Sequence, residues 1–117
     1  MKQIRLLLAL FTFGFLLFLT SCKKEKGDTL HLLYKTYENG KISECQYKGQ
    51  LVYSAGLNWH DAGSKIYDQD GKEIAKCNYA WGQPSSMCGE LKKCETIYRV
   101  KNNIWGQPAV DKYGLGK

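Results

Sequence analysis

The sequence has little of what an enzyme usually requires. It contains two histidines, His31 and His60, and no G-x-S-x-G nucleophile motif. Asp61 follows His60 directly, but neighbours on an extended chain point to different faces, so we expect a loop histidine beside a turn aspartate rather than a catalytic pair. We therefore predict a protein that is not an enzyme and that needs no cofactor.

The sequence also lacks a C-x-x-C pair, because gaps of thirty-one, ten and five residues separate its last four cysteines. This spacing disfavours zinc, whose structural sites are usually built on closely spaced pairs. The run DQDG at 68–71 is not a calcium loop, since Ile66 stands where the first acid would be needed and Cys77 where the final glutamate would be needed. No metal site is expected.

Phenylalanine is missing from the sequence after residue 18. All four phenylalanines lie before that point, whereas the rest of the chain has eight tyrosines and three tryptophans. Each of these rings carries an OH or NH group, so it suits a partly wet surface as well as a small core.

No apolar run reaches the roughly twenty residues that a membrane-spanning helix needs. The run from Leu6 to Leu19 has fourteen residues and follows Lys2 and Arg5, which is typical of a secretory signal. We expect residues 1–21 to be a signal peptide that is removed. The remaining 96 residues form one domain at most, and such a domain is marginally stable without cross-links.

The end of this segment, LTSC at 19–22, resembles the bacterial lipobox. The resemblance implies cleavage before Cys22 and three acyl chains on that cysteine, which would hold the protein on a membrane. An ordinary secreted protein with a coincidental cysteine is the alternative. The charged stretch 22–29 is expected to be a flexible tether, followed by a single small domain at 30–117.

With Cys22 assigned to lipid, four cysteines remain for the domain: Cys45, Cys77, Cys88 and Cys94. An even number in a small exported domain predicts two disulfides. Of the three possible pairings we favour Cys45 with Cys77 and Cys88 with Cys94. In the chain-entropy model these loops contribute on the order of 3.5 and 2.5 kcal/mol.

The charge pattern does not favour nucleic acid as a partner. The formal net charge of +6 falls to +4 without Lys2 and Arg5, and the tether carries +1 of the remainder. The basic residues of the domain are dispersed among acidic ones and form no stripe of the kind that binds phosphates.

Short alternating segments separated by glycine turns predict a mainly β, small α+β fold. Strands are expected at 42–47 and 50–57 around a Lys48-Gly49 turn, on both sides of an Asp70-Gly71 turn within 64–79, and at 95–100. Ser85 or Ser86 is expected to cap one short helix. Together these segments predict an antiparallel meander of five or six short strands, stapled by two disulfides. We expect the chain to fray after Pro108.

The stretch from residue 30 to 41 fits two structures. Helical spacing is found at Leu30, Leu33, Tyr34 and Tyr37, with Gly40 as a stop signal, whereas Asn39-Gly40 is also typical of a hairpin turn. We favour the hairpin, because tyrosine and threonine prefer pleated surfaces.

Residues 47–77 carry the pattern Y-x-G-x-x-V-Y, then an aspartate, an aromatic-aspartate pair, a glycine turn and a cysteine. The pattern falls on Tyr47, Gly49, Val52, Tyr53, Asp61, Tyr67, Asp68, Gly71 and Cys77. It resembles small Bacteroidota lipoproteins known only as domains of unknown function, over about a third of the mature chain. The resemblance implies an envelope location and a similar sheet, but no activity.

The segment KKEK at 23–26 resembles the cell-surface export signal of that phylum, with one acid where two are usual. We expect an outer-membrane lipoprotein, and whether it faces the periplasm or the cell surface stays open.

The phrase N-x-x-W-G-Q-P occurs twice, at Asn78–Pro84 and Asn102–Pro108, and its glycine and proline predict structured loops. The favoured interpretation is that Trp81 and Trp105 fill the two ends of a small core. The other is that they are exposed for binding, because tryptophan is enriched at interfaces.

Two functions follow from these features. The leading hypothesis is a lipid-anchored, non-enzymatic envelope module that binds a protein or a glycan, with Trp59, Trp81 and Trp105 as candidate contacts. The alternative is an inhibitor or immunity-type protein that blocks a secreted hydrolase by inserting the loop Asn58 to Gly63, since a rigid loop loses little entropy on binding.

Overall fold

The computed structural model describes residues 26–60, 62–78 and 85–117. In chain order the elements are α1 (Lys26–Tyr37), β1 (Gly40–Tyr47), β2 (Gln50–Leu57), β3 (Lys65–Tyr67), β4 (Glu73–Lys76), a 3₁₀ helix (Ser86–Gly89), β5 (Lys92–Arg99) and β6 (Val110–Asp111). The predicted mainly β, small α+β class is confirmed. The expected signal peptide, the lipobox and Cys22 lie outside the described residues.

The six strands form one antiparallel sheet in the order β4-β3-β2-β1-β5-β6. The first four strands are the expected meander, in which each strand pairs with the next. The chain then returns to the free edge of β1, which becomes the partner of β5. The sheet is therefore a meander extended by a crossover, and β1 lies at its centre with a partner on each side.

The β1–β2 turn illustrates how local sequence sets the register. Lys48 has φ +49 and Gly49 has φ +78, so both turn residues are left-handed. A two-residue turn of this kind matches the twist of the flanking strands. It places Tyr47 opposite Gln50 and aligns the rest of the two strands without a shift.

The hairpin expected around Asn39-Gly40 is wrong, because residues 26–37 form the helix α1. Leu30, Leu33 and Tyr37 lie on its buried face, and each is less than 5% exposed. Burial of this stripe against the sheet outweighs the weak preference of tyrosine and threonine for strands. Gly40 is the first residue of β1 rather than part of a hairpin turn.

The helix also takes in residues that we expected in the tether. It begins at Lys26, and Thr29 is fully buried, with its hydroxyl donating to the carbonyl of Gln69 at 2.7 Å. Lys26 forms an ion pair with Glu44 of β1 at 3.0 Å. These contacts attach the first turn of α1 to the sheet.

The main core lies between α1 and one face of the sheet. It joins the helix stripe to Ile42, Tyr53, Ala55, Ile97, Tyr98 and Leu115. Buried tyrosine hydroxyls find partners there, as the Tyr37 and Tyr67 hydroxyls lie 2.6 Å apart. A smaller cluster of Cys45, Val52, Ile66, Ala75 and Cys77 lies on the other face.

The favoured disulfide pairing is wrong, although both bonds exist. Cys45 is bonded to Cys94 and Cys77 to Cys88. The sequence places Cys45 and Cys77 on strands, but β5 crosses over to β1 and brings Cys94 within 4.1 Å of Cys45 between Cα atoms. Ser85 caps the 3₁₀ helix, as expected, and this short helix holds Cys88 beside the end of β4.

The end of the chain does not fray as expected. Val110 and Asp111 pair with β5, and Leu115 is 7% exposed in the main core. The Asp111 carboxylate accepts from the amides of Leu115 and Gly116, at 2.7 and 3.0 Å. The buried leucine and this cap fix a segment whose glycines and lysines had suggested mobility.

Candidate functional site

The face of the sheet opposite α1 carries no α-helix within the described chain, and we call it the open face. Its smaller cluster is covered by Met87 and Cys88 of the 3₁₀ helix. Ile42 and Glu44 of β1 point toward α1, where Ile42 joins the core and Glu44 pairs with Lys26. Because side chains alternate along a strand, Lys41, Ser43 and Cys45 point to the open face.

The open face presents a polar row across three strands. Ser43 lies opposite Ser54 of β2 and Thr96 of β5. The hydroxyls of Ser43 and Thr96 are 3.4 Å apart, and Thr96 also accepts from the Arg99 guanidinium at 3.3 Å. A second row joins Lys41 to Arg99, so two cations stand next to each other on neighbouring strands.

A first loop, residues 58–64, rises at one side of these rows. The Asn58 amide donates to the Asn39 carbonyl at 2.9 Å, and the Ser64 carbonyl accepts from the Cys77 amide at 2.7 Å. Gly63 has φ +67 and packs so closely on Asn78 that a Cβ there would lie 2.7 Å from that side chain. The loop is thus held at both ends, and Trp59 is 54% exposed on it.

A second loop, residues 101–109, contains the second N-x-x-W-G-Q-P phrase. The Asn103 side chain donates to the carbonyls of Val100 and Gln107 and accepts from the Gln107 amide, all within 3.1 Å. Asn58 accepts from the Ile104 amide at 2.7 Å, so the two loops are joined directly. Asn103 therefore holds this loop, whereas Asn102 contributes a left-handed backbone with φ +55.

The two loops and the polar rows enclose an open cleft of about 610 Å³. Its floor includes Lys41, Ser43, Ser54 and the cysteines Cys45, Cys77 and Cys94. Its walls include Leu57, Trp59, His60, Ala62, Gly63, Ser64, Ile104 and Trp105. Hydroxyl groups below and large apolar side chains above are the usual composition of a small-ligand site.

The cleft is electropositive at the base of the second loop. The Lys41 ammonium lies 4.5 Å from the centre of the Trp105 ring, a cation-π contact. Burial lowers the pKa of Lys41, and the neighbouring charge of Arg99 lowers it further. The Arg99 guanidinium reaches the carbonyl of Pro108 at 3.1 Å, which fixes the end of the second loop to the sheet.

The structure brings together two of the three candidate tryptophans, Trp59 and Trp105. Trp105 is half-buried and lies outside both core clusters, so it does not fill an end of the core as the favoured interpretation proposed. Trp81 and the rest of the first W-G-Q-P phrase lie outside the described residues, as does Asp61. His60 is exposed at the cleft and has no hydrogen-bonded partner among the described residues.

Sequence reasoning missed four residues that line the cleft: Lys41, Ser43, Ser54 and Ile104. It also missed Arg99 and Asn103, which fix the second loop. The alternation of Lys41 and Ser43 with buried Ile42 was a signal that one face of β1 is polar. Nothing local indicated that β5 would lie beside β1, and only that pairing places Arg99 next to Lys41.

Comparison with protein-family models, curated protein sequences and solved structures finds no match to this chain. In the described ranges, no helix is long and apolar enough to cross a membrane, and no three His, Cys, Asp or Glu side chains converge on a possible metal position. The function must therefore be argued from the cleft.

Proposed function

We propose that this protein is a non-enzymatic binding module, attached to the cell envelope by lipid on Cys22, that binds a glycan or a protein in the cleft of the open face. The observation that carries the proposal is that Trp59 and Trp105 line one cleft above a hydroxyl-bearing floor. Tryptophan is enriched among residues that dominate binding energy.

The anchored loops support binding without a large entropic cost. Asn58 connects the first loop to Asn39 and to the Ile104 amide, so one hydrogen-bonded residue fixes both walls of the cleft. A site whose walls are ordered before the ligand arrives loses less conformational freedom on binding.

The test is to titrate the protein with candidate glycans or proteins and to monitor binding by tryptophan fluorescence. Trp59→Ala and Trp105→Ala are measured as separate variants. Tyr113→Ala is the matched control, since Tyr113 is an exposed aromatic that contacts Lys26 of α1 rather than the cleft. Each cleft variant should weaken binding about tenfold or more, as for a central aromatic contact, while the control stays unchanged. Equal binding by all three variants would exclude the cleft as the binding site.

The membrane attachment is tested separately by mass spectrometry of protein from native cells. We expect an amino terminus at Cys22 that carries acyl chains. A free terminus upstream of Cys22 would remove this part of the proposal without touching the cleft.

The inhibitor function remains a second candidate because the first loop is fixed at both ends and exposes Trp59. A loop that is fixed at both ends and carries an exposed aromatic side chain suits insertion into an enzyme groove. Capture of a secreted hydrolase from culture medium, lost with Trp59→Ala but retained with Trp105→Ala, would favour this function over the cleft.

A further inference from the structure

We propose that the ligand of the cleft is an acidic saccharide, a uronic-acid-containing oligosaccharide whose carboxylate is bound by Lys41. This inference rests on the proposed function, because it assigns a ligand class to the same cleft.

Charge is the first argument. The three ion pairs between described residues join Lys26 to Glu44, Lys65 to Glu73 and Lys112 to Glu95. None of them involves Lys41 or Arg99, and no described acidic residue lines the cleft. Two neighbouring cations repel each other when no carboxylate of the described residues pairs with them, and an anionic ligand group would relieve that repulsion.

The position of Lys41 also suits a ligand. Its ammonium lies 4.5 Å from the centre of the Trp105 ring, and Lys41 lines the cleft. A partly desolvated ammonium binds a carboxylate more strongly than a fully hydrated one does, because the effective dielectric is lower. The Arg99 guanidinium is hydrogen-bonded to Thr96 and Pro108, so it adds positive electrostatic potential to the cleft without contacting the ligand directly.

The hydroxyl groups and the tryptophans favour a sugar over an acidic peptide. Ser43, Ser54 and Ser64 all line the cleft, and a hydroxyl both donates and accepts, as sugar hydroxyls require. Trp59 and Trp105 offer flat apolar surfaces for the C–H faces of a pyranose ring. The described strands of the floor, β1, β2 and β5, each have a neighbouring strand on both sides, so a peptide would gain no backbone ladder there.

The experiment is isothermal titration of the full chain with a galacturonic acid tetramer and with its fully methyl-esterified form. The two probes share every ring and differ only in charge. We expect the acid to bind about tenfold or more tightly than the ester, since charge-assisted hydrogen bonds are worth roughly 1.5–3 kcal/mol. Added NaCl should weaken binding of the acid and leave binding of the ester unchanged.

Four variants locate the charge effect. Lys41→Gln should abolish the preference for the acid, whereas Lys41→Arg should keep it, which separates charge from a folding defect. Lys112→Gln is the matched control, because Lys112 pairs with Glu95 away from the cleft. Asp61→Asn should leave the preference intact, and loss of it in this variant would contradict the assignment to Lys41.

Equal binding of acid and ester, or binding of neither, would overturn the acidic-saccharide assignment. Binding of polyglutamate as tightly as the uronate tetramer, with the same dependence on Lys41, would overturn it in favour of an acidic peptide. The proposed binding function fails separately, if Trp59→Ala and Trp105→Ala have no effect on any ligand that binds.

Discussion

Removal of the Cys45–Cys94 disulfide should cost more stability than removal of the Cys77–Cys88 disulfide. The first bond closes a loop with a sequence separation of 49 residues and the second a loop of 11. The chain-entropy model gives about 4 and 3 kcal/mol for loops of these sizes. A domain of this length has a free energy of unfolding of about 5–15 kcal/mol, so each loss is a large fraction of the total.

The measurement is urea unfolding of two double variants, Cys45→Ala/Cys94→Ala and Cys77→Ala/Cys88→Ala, against the oxidised parent. Thiol titration supplies the control. Each double variant should contain no free domain thiol, because the remaining two cysteines are still bonded to each other. In the pairing favoured by sequence, either variant would break both bonds and leave two thiols, which would refute the connectivity.

Three further perturbations test local parts of the structure. Lys48→Asn should stabilise the protein by about 0.5–1 kcal/mol in urea unfolding, because asparagine tolerates the left-handed turn position better than lysine. Asn58→Ala should destabilise it by about 1–2 kcal/mol and speed amide exchange at Ile104, since that amide loses its acceptor. Burial raises the pKa of Tyr37 and of Tyr98 above the ordinary value of 10.0. Because folding favours their neutral forms, the stability that this effect contributes is fully present below pH 10 and is lost as pH rises from 10 toward the raised pKa values of the folded protein. In urea unfolding against pH, this loss should be smaller in Tyr37→Phe.

The strands of the first half could be predicted because their signals are local. The Lys48-Gly49 turn sets the β1–β2 register by itself, and alternation in 50–57 identifies the strand. The helix at 26–37 could not be distinguished from a hairpin, because its apolar spacing becomes decisive only when a sheet is present to bury it. The pairing of β5 with β1 is a non-local contact, and the disulfide connectivity follows from it.

The candidate site was predicted in part for the same reason. Trp59 and Trp105 were identified from their residue type and their loops, which are local properties. Lys41 and Arg99 come from strands 58 residues apart in sequence, and only the crossover makes them neighbours. Their meeting gives the cleft its charge, which no single segment of the sequence shows.

Trp59 and Trp105 are proposed to form one ligand site on the open face. The most direct test follows the indole N–H signals in ¹H–¹⁵N spectra during titration with the galacturonic acid tetramer. The sequence has three tryptophans, and single substitutions assign the signals. If both side chains contact one ligand, the Trp59 and Trp105 signals should shift together and saturate at the same ligand concentration. Saturable shifts that spare both indoles would contradict it.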